Sequence, residues 1–387
     1  PWVFGLLLAA AAWVVLDLLA LEAVLDASES LGASLGPILA TTLLLAPPML
    51  VLGSVSPFVV KLEGRQSALG ITAGRVFALS TAGSLAGTFA TAFWLIPEFG
   101  CRHTLRILFA SLAVVGLAGL AGSASRTRRA AGALAAAGLA LLLPDPPPLP
   151  GMVFTGDSPY NTVYVEQQGE HRLLRLNDPR RGFHSVRLDG GLRTGAYYDV
   201  FYLGPLLAGG REVLVLGMGG GTTVRAHRRL YPGVRVTAVE IDPLVVRAAF
   251  EHMGVEPGPD LDVQVADARP FLRRSGRVFD VVEMDLFAGG PYAPFYCLTR
   301  EFFEAARARL APSGLVAMNV YAPGGDGTLA GSVVATMNAV FPAVFEVPLA
   351  EERVLLAFRE PVSLDALRRR LAAPGLPGEL SAIAREA

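Results

Sequence analysis

Three acidic residues stand directly after aliphatic runs that each have the length and composition of a buried strand. These residues are Glu240, Asp267 and Asp285, and a fourth run ends in the glycine-rich stretch Gly217–Gly221. Carboxylates at such positions can hold a cation, accept a proton or bind the hydroxyls of a ribose. Because ligands of an open α/β sheet bind beyond the carboxyl ends of its strands, we expect all four stretches to meet in one cleft.

The glycine-rich stretch follows the run Glu212–Leu216 and precedes helix-compatible sequence from about Thr222 to Leu230. This pattern predicts a strand–turn–helix unit whose backbone N–H groups and helix dipole face a ligand. Glu240 comes about 20 residues after the turn, where an acid meets a bound ribose in such folds. The sixth position of the dinucleotide-binding pattern is Thr222 instead of Gly or Ala, which disfavours a nicotinamide or flavin dinucleotide.

Strand-like and helix-like stretches alternate through this half of the chain. Strands are predicted at about 212–218, 235–241, 261–267, 279–285 and 314–320, and helices at about 222–230, 243–253, 268–274, 299–310 and 327–340. The alternation predicts a parallel sheet with helices on both faces. We expect Val344–Leu349 and Val354–Phe358 to close the sheet as an antiparallel pair, and short strands between 153 and 187 to form a small β-domain with a turn at Gln167–Glu170.

The first 150 residues are much more apolar than the rest. They hold 15 of the 67 charged residues, and the mean hydropathy of the whole chain is +0.46. Membrane crossings are predicted in four stretches, at Trp2–Leu21, Leu35–Val60, Gly70–Ile96 and Leu105–Ala121, with a shorter fifth segment at Ala130–Leu143. The small-residue pattern from Gly83 to Gly87 predicts close helix packing, and Asp17 and Arg75 are charges inside the spans.

Composition also limits the partners. The net charge is −1, which gives no reason to expect nucleic acid, and two cysteines and five histidines without ligand spacing give no reason to expect a metal. The chain starts at Pro1, so we expect that its true N-terminus is missing. The lipid bilayer is an expected partner of the apolar half, and Pro144–Pro150 reads as a stiff linker to the other half.

The series of glycine turn and strand-ending acids resembles the spermidine synthase (polyamine aminopropyltransferase) family. The resemblance runs from about Thr155 to Val320. It implies a multi-span α-helical membrane region followed by an α/β Rossmann-like S-adenosylmethionine-type methyltransferase fold with a small N-terminal β-domain. The phrase from Gly74 to Thr88 resembles the membrane part of bacterial transporter–spermidine synthase fusions, which implies an integral protein of the inner membrane. Because S-adenosyl cofactors are made in the cytosol, we expect the catalytic part to lie in the cytoplasm.

The resemblance implies transfer of an aminopropyl group from decarboxylated S-adenosylmethionine to an amine or polyamine, with Asp285 as the base. The implied cofactor-binding residues are Gly217, Gly219, Gly221, Glu240, Asp242, Asp267 and Ala268. The implied substrate-binding residues are Tyr160 and Asn161 from a Ser-x-Tyr-Gln phrase, Tyr198 and Asp199 from a Tyr-Gln or Tyr-His-Glu phrase that matches Tyr197-Tyr198-Asp199, and Glu283 and Tyr292.

Two family acids that hold amine groups are absent, because their positions are Gly220 and Ala288. These departures argue against the usual putrescine reaction and leave two alternatives open. One is a methyltransferase that uses intact S-adenosylmethionine, and the other is a non-enzymatic membrane protein that senses a nucleoside. A homodimer is also left open. The expected domains are a membrane region at 1–143, a linker at 144–151, the β-domain at 152–200, the S-adenosyl-binding domain at 201–360 and a helical tail at 361–387.

Overall fold

The computed structural model describes residues 2–29, 31–63, 69–120, 149–180, 182–287, 293–322, 327–376 and 378–386. The chain divides into two compact units, Pro1–Pro147 and Pro148–Ala387. The first unit is helical and the second contains two β-sheets, so the change in composition along the sequence coincides with a change in architecture.

The first unit consists of long apolar helices. These are α1 (Trp2–Glu29), α2 (Gly32–Glu63), α3 (Leu69–Ala90), a π-helical turn (Thr91–Leu95) and α4 (Ile96–Leu120). Helix α1 packs against α2 and α4. Among the described residues, three helical stretches are long and apolar enough to cross a membrane, at Trp2–Leu21, Leu35–Glu63 and Leu69–Leu120.

Three such stretches replace the four that the sequence predicts over these residues. The π-helical turn joins the predicted third and fourth spans into one run, within which Gly100 leaves helical geometry at φ 74°. Around Gly83 and Gly87 no atom lies within 4 Å of the place of a Cβ, so the described residues show no close helix packing there. The shorter predicted segment, Ala130–Leu143, lies outside the described residues.

The second unit begins with a four-stranded antiparallel sheet. Its strands β1 (Met152–Asp157), β2 (Thr162–Gln168), β3 (His171–Leu176) and β4 (Ser185–Leu188) pair in sequence order. The predicted turn at Gln167–Glu170 is confirmed, since Gln168 pairs with His171 across it and Gly169 supplies the positive φ of 61°. Val163 and Val165 alternate into the core, as the sequence period requires.

The larger sheet has seven strands in the order β10-β11-β9-β8-β5-β6-β7. The strands are β5 (Glu212–Leu216), β6 (Arg235–Glu240), β7 (Leu261–Val265), β8 (Phe279–Met284), β9 (Leu310–Tyr321), β10 (Ala343–Pro348) and β11 (Glu352–Phe358). Strands β5 to β9 are parallel, and β10 and β11 form the predicted antiparallel closure. The predicted doubly covered parallel sheet is therefore confirmed.

Helices cover both faces of this sheet. They are α5 (Tyr198–Tyr202), α6 (Gly204–Ala208), α7 (Thr222–Leu230), α8 (Pro243–Glu251), α9 (Ala268–Arg274), α10 (Arg300–Arg307), α11 (Gly327–Asn338), α12 (Leu364–Leu371) and α13 (Gly378–Glu386). Each face has its own hydrophobic core, and α12 and α13 contribute Leu367 and Ile383 to one of them. The C-terminal tail is therefore packed on the domain more firmly than a surface segment would be.

The small sheet is joined to the glycine turn of the large one. The Thr222 hydroxyl accepts a hydrogen bond from the Val186 backbone N–H at 3.0 Å and donates to the Val186 carbonyl at 2.9 Å. Thr222 is 4% exposed, so these bonds lie in a dry interior where losing them would be costly. The residue that breaks the dinucleotide pattern therefore fixes β4 at the start of α7.

Candidate active site

A cavity of about 380 Å³ lies at the edge of the large sheet where β5, β6, β7 and β8 end. The sequence-predicted residues that line it are Tyr160, Asn161, Gly217, Gly219, Glu240, Asp267, Ala268 and Asp285. Residues from the two sheets thus meet there, as the carboxyl-end rule for open α/β folds requires. Lining residues that the sequence did not indicate include His184, Leu176, Phe287, Pro294 and Cys297.

The glycine turn has no free backbone donors. The N–H groups of Gly217 and Met218 donate to the Val239 carbonyl, and that of Gly221 donates to the Met218 carbonyl. The Gly219 N–H donates to Glu240 Oε2 at 3.0 Å, and the Gly220 N–H donates to Ser185 Oγ at 2.7 Å.

Because all five N–H groups of the turn already have acceptors, the turn cannot cradle a phosphate. The prediction that these N–H groups face the ligand is therefore wrong, and so is its extension to Gly221, which serves as the left-handed N-cap of α7 and does not line the cavity. Because the N–H groups of the turn are all used, the site favours a ligand without phosphate groups and disfavours a dinucleotide.

The glycines instead allow close contact between backbones. A Cβ on Gly217, which has φ 83°, would lie 2.1 Å from the carbonyl oxygen of Asp285. A Cβ on Gly219, at φ 51°, would lie 2.6 Å from Ser185 Oγ. The turn therefore sets the separation between the end of β5 and the residue that follows β8.

Glu240 lies at the end of β6 and is held by backbone donors. Its Oε2 accepts from the Gly219 N–H at 3.0 Å and its Oε1 accepts from the Asp242 N–H at 3.1 Å. Burial raises the pKa of Glu240, backbone hydrogen bonds from Gly219, Asp242 and Ile241 oppose the shift, and the charge of Asp242 adds to it. Since a carboxylate has about four acceptor positions, these bonds leave room for a hydroxyl group of a ligand in the cavity.

Asp242 is buried behind the cavity wall and holds neighbouring segments by hydrogen bonds. It is 0% exposed, caps helix α8 by accepting from the Leu244 N–H at 2.9 Å, and does not line the cavity. Its Oδ2 accepts hydrogen bonds from Ser158 Oγ at 2.6 Å and from Asn161 Nδ2 at 3.2 Å. Asp242 thereby anchors the loop that carries Tyr160 over the cavity.

Asp285 is partly exposed in the cavity and otherwise surrounded by protein. Tyr197 Oη donates to its Oδ2 at 2.8 Å, and Asn319 Nδ2 lies 3.4 Å from its Oδ1. Burial raises the pKa of Asp285 to about 7; the bonds from Tyr197 and Asn319 lower it, while the charges of Glu352 and Glu283 raise it further. An acid with such a pKa can accept a proton near neutral pH.

The sequence reasoning missed Tyr197 and Asn319 as partners of Asp285. A signal for Tyr197 was present, because the Tyr-His-Glu phrase, matched in order to Tyr197-Tyr198-Asp199, places its tyrosine at Tyr197. No comparable signal marked Asn319, which lies in the largely buried strand β9 and reaches Asp285 through the pairing of β8 with β9.

Tyr292, one of the predicted substrate-binding residues, lies outside the described residues. Three others, Tyr198, Asp199 and Glu283, lie outside the cavity lining. Tyr198 is buried and its hydroxyl donates to the His184 carbonyl at 3.0 Å. Asp199 accepts from the Thr194 hydroxyl and from the N–H groups of Thr194 and Gly195, so it shapes the preceding loop.

Glu283 is the third of these residues, and it is 0% exposed. It pairs with the equally buried His227 of helix α7. The prediction that Glu283 and Asp285 share one face fails because β8 ends at Met284, so the alternation of a strand does not extend to Asp285. Glu283 thus joins α7 to β8 instead of reaching the cavity.

The cavity is acidic. Three carboxylates line it, those of Glu240, Asp267 and Asp285, and the described lining contains no Lys or Arg. His184 stays neutral, since burial first and the Arg175 charge second lower its pKa. The Leu176 N–H donates to His184 Nδ1 at 3.2 Å, which leaves the proton on Nε2. The site therefore favours a cationic ligand. In the part of the chain that the structure describes, no cluster of His, Cys, Asp and Glu could hold a metal.

Replacing Gly217 by alanine should disrupt the site. We expect a loss of about 2–5 kcal/mol in the free energy of unfolding, because positive φ and the clash with the Asp285 carbonyl both oppose a methyl group. The matched control is Gly276→Ala, where nothing lies within 4 Å of the new Cβ. Thermal unfolding of the purified chain would measure both, and equal unfolding temperatures for the two variants would contradict the close approach.

Comparison with known proteins agrees with this geometry. Residues 204–354 match the spermine/spermidine synthase domain family. A probable polyamine aminopropyl transferase from Bifidobacterium longum is 33% identical over 193 residues, which cover 49% of this chain and 42% of that protein. A polyamine aminopropyltransferase from Vibrio vulnificus is 30% identical over 152 residues, which cover 38% of this chain and 50% of that protein.

The chain thus spans about half the length of the curated relatives it matches or less. Among solved structures, a probable spermidine synthase from Corynebacterium glutamicum superposes with a TM-score of 0.49 at 23% identity, over 62% of this chain and 94% of that one. The sequence match over β5 to β11 includes the glycine turn and all three cavity acids. Residues 204–354 are therefore similar to the spermine/spermidine synthase domain family, as the sequence resemblance indicated.

Proposed function

We propose that the second unit transfers an aminopropyl group from decarboxylated S-adenosylmethionine to an amine. The observation that carries this proposal is the cavity itself, which combines three carboxylates with a glycine turn whose N–H groups are all used. Such a site suits a nucleoside that is cationic and lacks phosphates. The names of the matched relatives support the same reaction class.

In this proposal the donor lies over β5, β6 and β7. Glu240 accepts a hydrogen bond from the ribose hydroxyls, because it stands at the end of β6, lines the cavity and keeps acceptor capacity beyond its backbone partners. Gly217 and Gly219 leave room for the ligand beside the backbone, and Asp267 with Ala268 completes the nucleoside side of the cavity. Asp242 contributes indirectly by holding the loop of Tyr160 and Asn161.

The charge of the cavity favours the decarboxylated donor. Intact S-adenosylmethionine carries an additional carboxylate, which would enter a cavity whose described lining offers three acids and no Lys or Arg. An unpaired like charge of this kind is costly and rejects a ligand as effectively as a clash. The decarboxylated donor presents only cationic groups to the same acids.

Asp285 is the proposed base for the reaction. A sulfonium makes its adjacent methylene electrophilic and leaves as a neutral thioether. As the amine nitrogen forms its new bond to carbon and the carbon–sulfur bond breaks, the nitrogen loses a proton, which Asp285 accepts. Tyr197 holds Oδ2 of Asp285 in place, so the carboxylate is oriented before the amine arrives.

Product analysis tests this reaction. The purified chain, given decarboxylated S-adenosylmethionine and a panel of amines, should release methylthioadenosine and an amine enlarged by one aminopropyl group, both detected by mass spectrometry. Methylated amines formed from intact S-adenosylmethionine would replace the proposal with methyl transfer. Binding of the donor without any product would instead favour the nucleoside-sensing alternative.

The Asp285→Asn variant should lower turnover by about 10²–10⁴-fold, because it removes a positioned base and keeps the size of the side chain. In the wild type, kcat/KM should rise as pH increases through about 7, since only the ionised carboxylate accepts a proton. The variant should lose this rise.

Asp262→Asn is the matched control, because Asp262 lies on the exposed side of β7 and pairs with Arg277 at 3.0 Å. It should retain both the rate and the pH profile of the wild type. Turnover of Asp285→Asn equal to that of the control would remove Asp285 from the role of base.

We further propose that the first unit anchors the chain in the bacterial inner membrane with the second unit in the cytoplasm. Three helical stretches have the length and composition to cross a bilayer, and S-adenosyl donors are made in the cytosol. Lys61, at the end of α2, fits a cytoplasmic position by the positive-inside tendency.

Membrane fractionation tests the anchor. After a carbonate wash the chain should stay in the pellet and should be released only by detergent, because apolar helices resist extraction that removes surface-bound proteins. Release by carbonate alone would contradict the anchor. Protease digestion of intact spheroplasts should leave the second unit uncut if it faces the cytoplasm, and cleavage there would reverse the orientation.

A further inference from the structure

A second cavity, of about 530 Å³, lies between the strands β10 and β11 and the helices α5, α6, α12 and α13. It shares no described lining residue with the candidate active site. Of its fourteen described lining residues, eleven are Val, Leu, Phe or Ala and three are charged. The apolar walls include Val200, Leu203, Phe345, Leu356, Leu367 and Leu371. A mostly apolar cavity of roughly 300–1,000 Å³ with a few polar groups is typical of small-molecule sites.

The charged residues give the mouth of this cavity a positive charge. Glu346 is already bound by Arg353 of β11 at 3.1 Å. Arg368 lies 3.6 Å from Asp365, one turn earlier on α12, but both side chains are mostly exposed, so this pair holds the guanidinium weakly. Arg385, near the end of α13, is exposed and forms no ion pair among the described residues. Two guanidinium groups are thus available to an anion.

The two cavities of the second unit therefore favour opposite charges. Three carboxylates line the candidate active site, so an anionic ligand would be rejected there. The second cavity offers the reverse, an apolar interior with cations at its mouth. This combination matches a molecule with an apolar chain and an anionic head, because the chain can leave water while the head stays at the surface beside the guanidinium groups.

We propose that this cavity binds an amphipathic anion with one alkyl chain, of the class of a fatty-acid carboxylate. The chain lies against the apolar walls, and the carboxylate lies at Arg368 and Arg385, whose planar groups can donate two parallel hydrogen bonds to it. Such molecules partition into bilayers, and three helical stretches of the described chain are long and apolar enough to cross one. The ligand and the protein would thus meet at the same surface.

Helix α5 joins this cavity to the candidate active site. Val200 on α5 lines the second cavity, while Tyr197, the N-cap of the same helix, donates to Asp285 at 2.8 Å. A ligand in the second cavity would therefore contact the helix that holds the proposed base. The assignment itself does not depend on the proposed reaction, because its residues are separate and its test measures binding.

Calorimetry of the full chain in phosphatidylcholine nanodiscs tests the assignment, with octanoate as the probe and empty nanodiscs as the background. We expect saturable binding that strengthens about fourfold per methylene from hexanoate to octanoate, since each added methylene leaves water. The double variant Arg368→Gln/Arg385→Gln should bind octanoate about 5- to 30-fold more weakly, the loss expected for two exposed ion pairs, and should bind 1-octanol as the wild type does. Arg369→Gln, an exposed neighbour outside the cavity lining, is the matched control and should change neither affinity.

Ala372→Trp tests the place of the alkyl chain. Ala372 lines the cavity at the exposed end of α12, so the indole should block octanoate and 1-octanol alike. The double arginine variant keeps the assignment testable if the tryptophan variant does not fold. Equal octanoate affinity in the wild type and the double variant would overturn the assignment. Failure of octanoate to bind the wild type would also overturn it, and concentration-dependent dimers that Ala372→Trp abolishes would then identify a second copy as what covers the cavity.

Discussion

The close approach of Gly217 to the carbonyl oxygen of Asp285 is the constraint on which the site depends. The end of β5 and the residue after β8 are adjacent because the two strands pair in parallel, and only a residue without a Cβ can stand between them. This contact sets the distance from the donor side of the cavity to the proposed base. A change in either segment would therefore alter binding and proton transfer together.

The glycine turn acts here as a spacer. In phosphate-binding turns the backbone N–H groups point at the ligand, whereas here each of the five donates to protein, two of them to the side chains of Glu240 and Ser185. The Ser185 and Thr222 hydroxyls also attach the small sheet to the large one. Ser185 thus both occupies an N–H group of the turn and fixes the end of the small sheet that carries the lining residue His184.

Much of this arrangement follows from sequence patterns, and the rest depends on pairings that no local pattern contains. The strands and the convergence of Glu240, Asp267 and Asp285 were predictable because apolar periodicity locates strands and parallel strands end at one edge. The partners of Asp285 were not, since Asn319 reaches it across β8 and β9 and Glu352 joins only through the antiparallel register of β11. Glu283 was misplaced because its strand ends one residue before Asp285.

In the proposed reaction, an acidic cavity beside a turn without free N–H groups selects a decarboxylated sulfonium donor. Isothermal titration calorimetry of the purified chain with decarboxylated and intact S-adenosylmethionine tests it most directly. Three lining carboxylates, with no Lys or Arg in the described lining, predict at least about tenfold tighter binding of the decarboxylated donor, because the intact one adds an unpaired like charge. Equal affinities, or tighter binding of intact S-adenosylmethionine, would contradict the account.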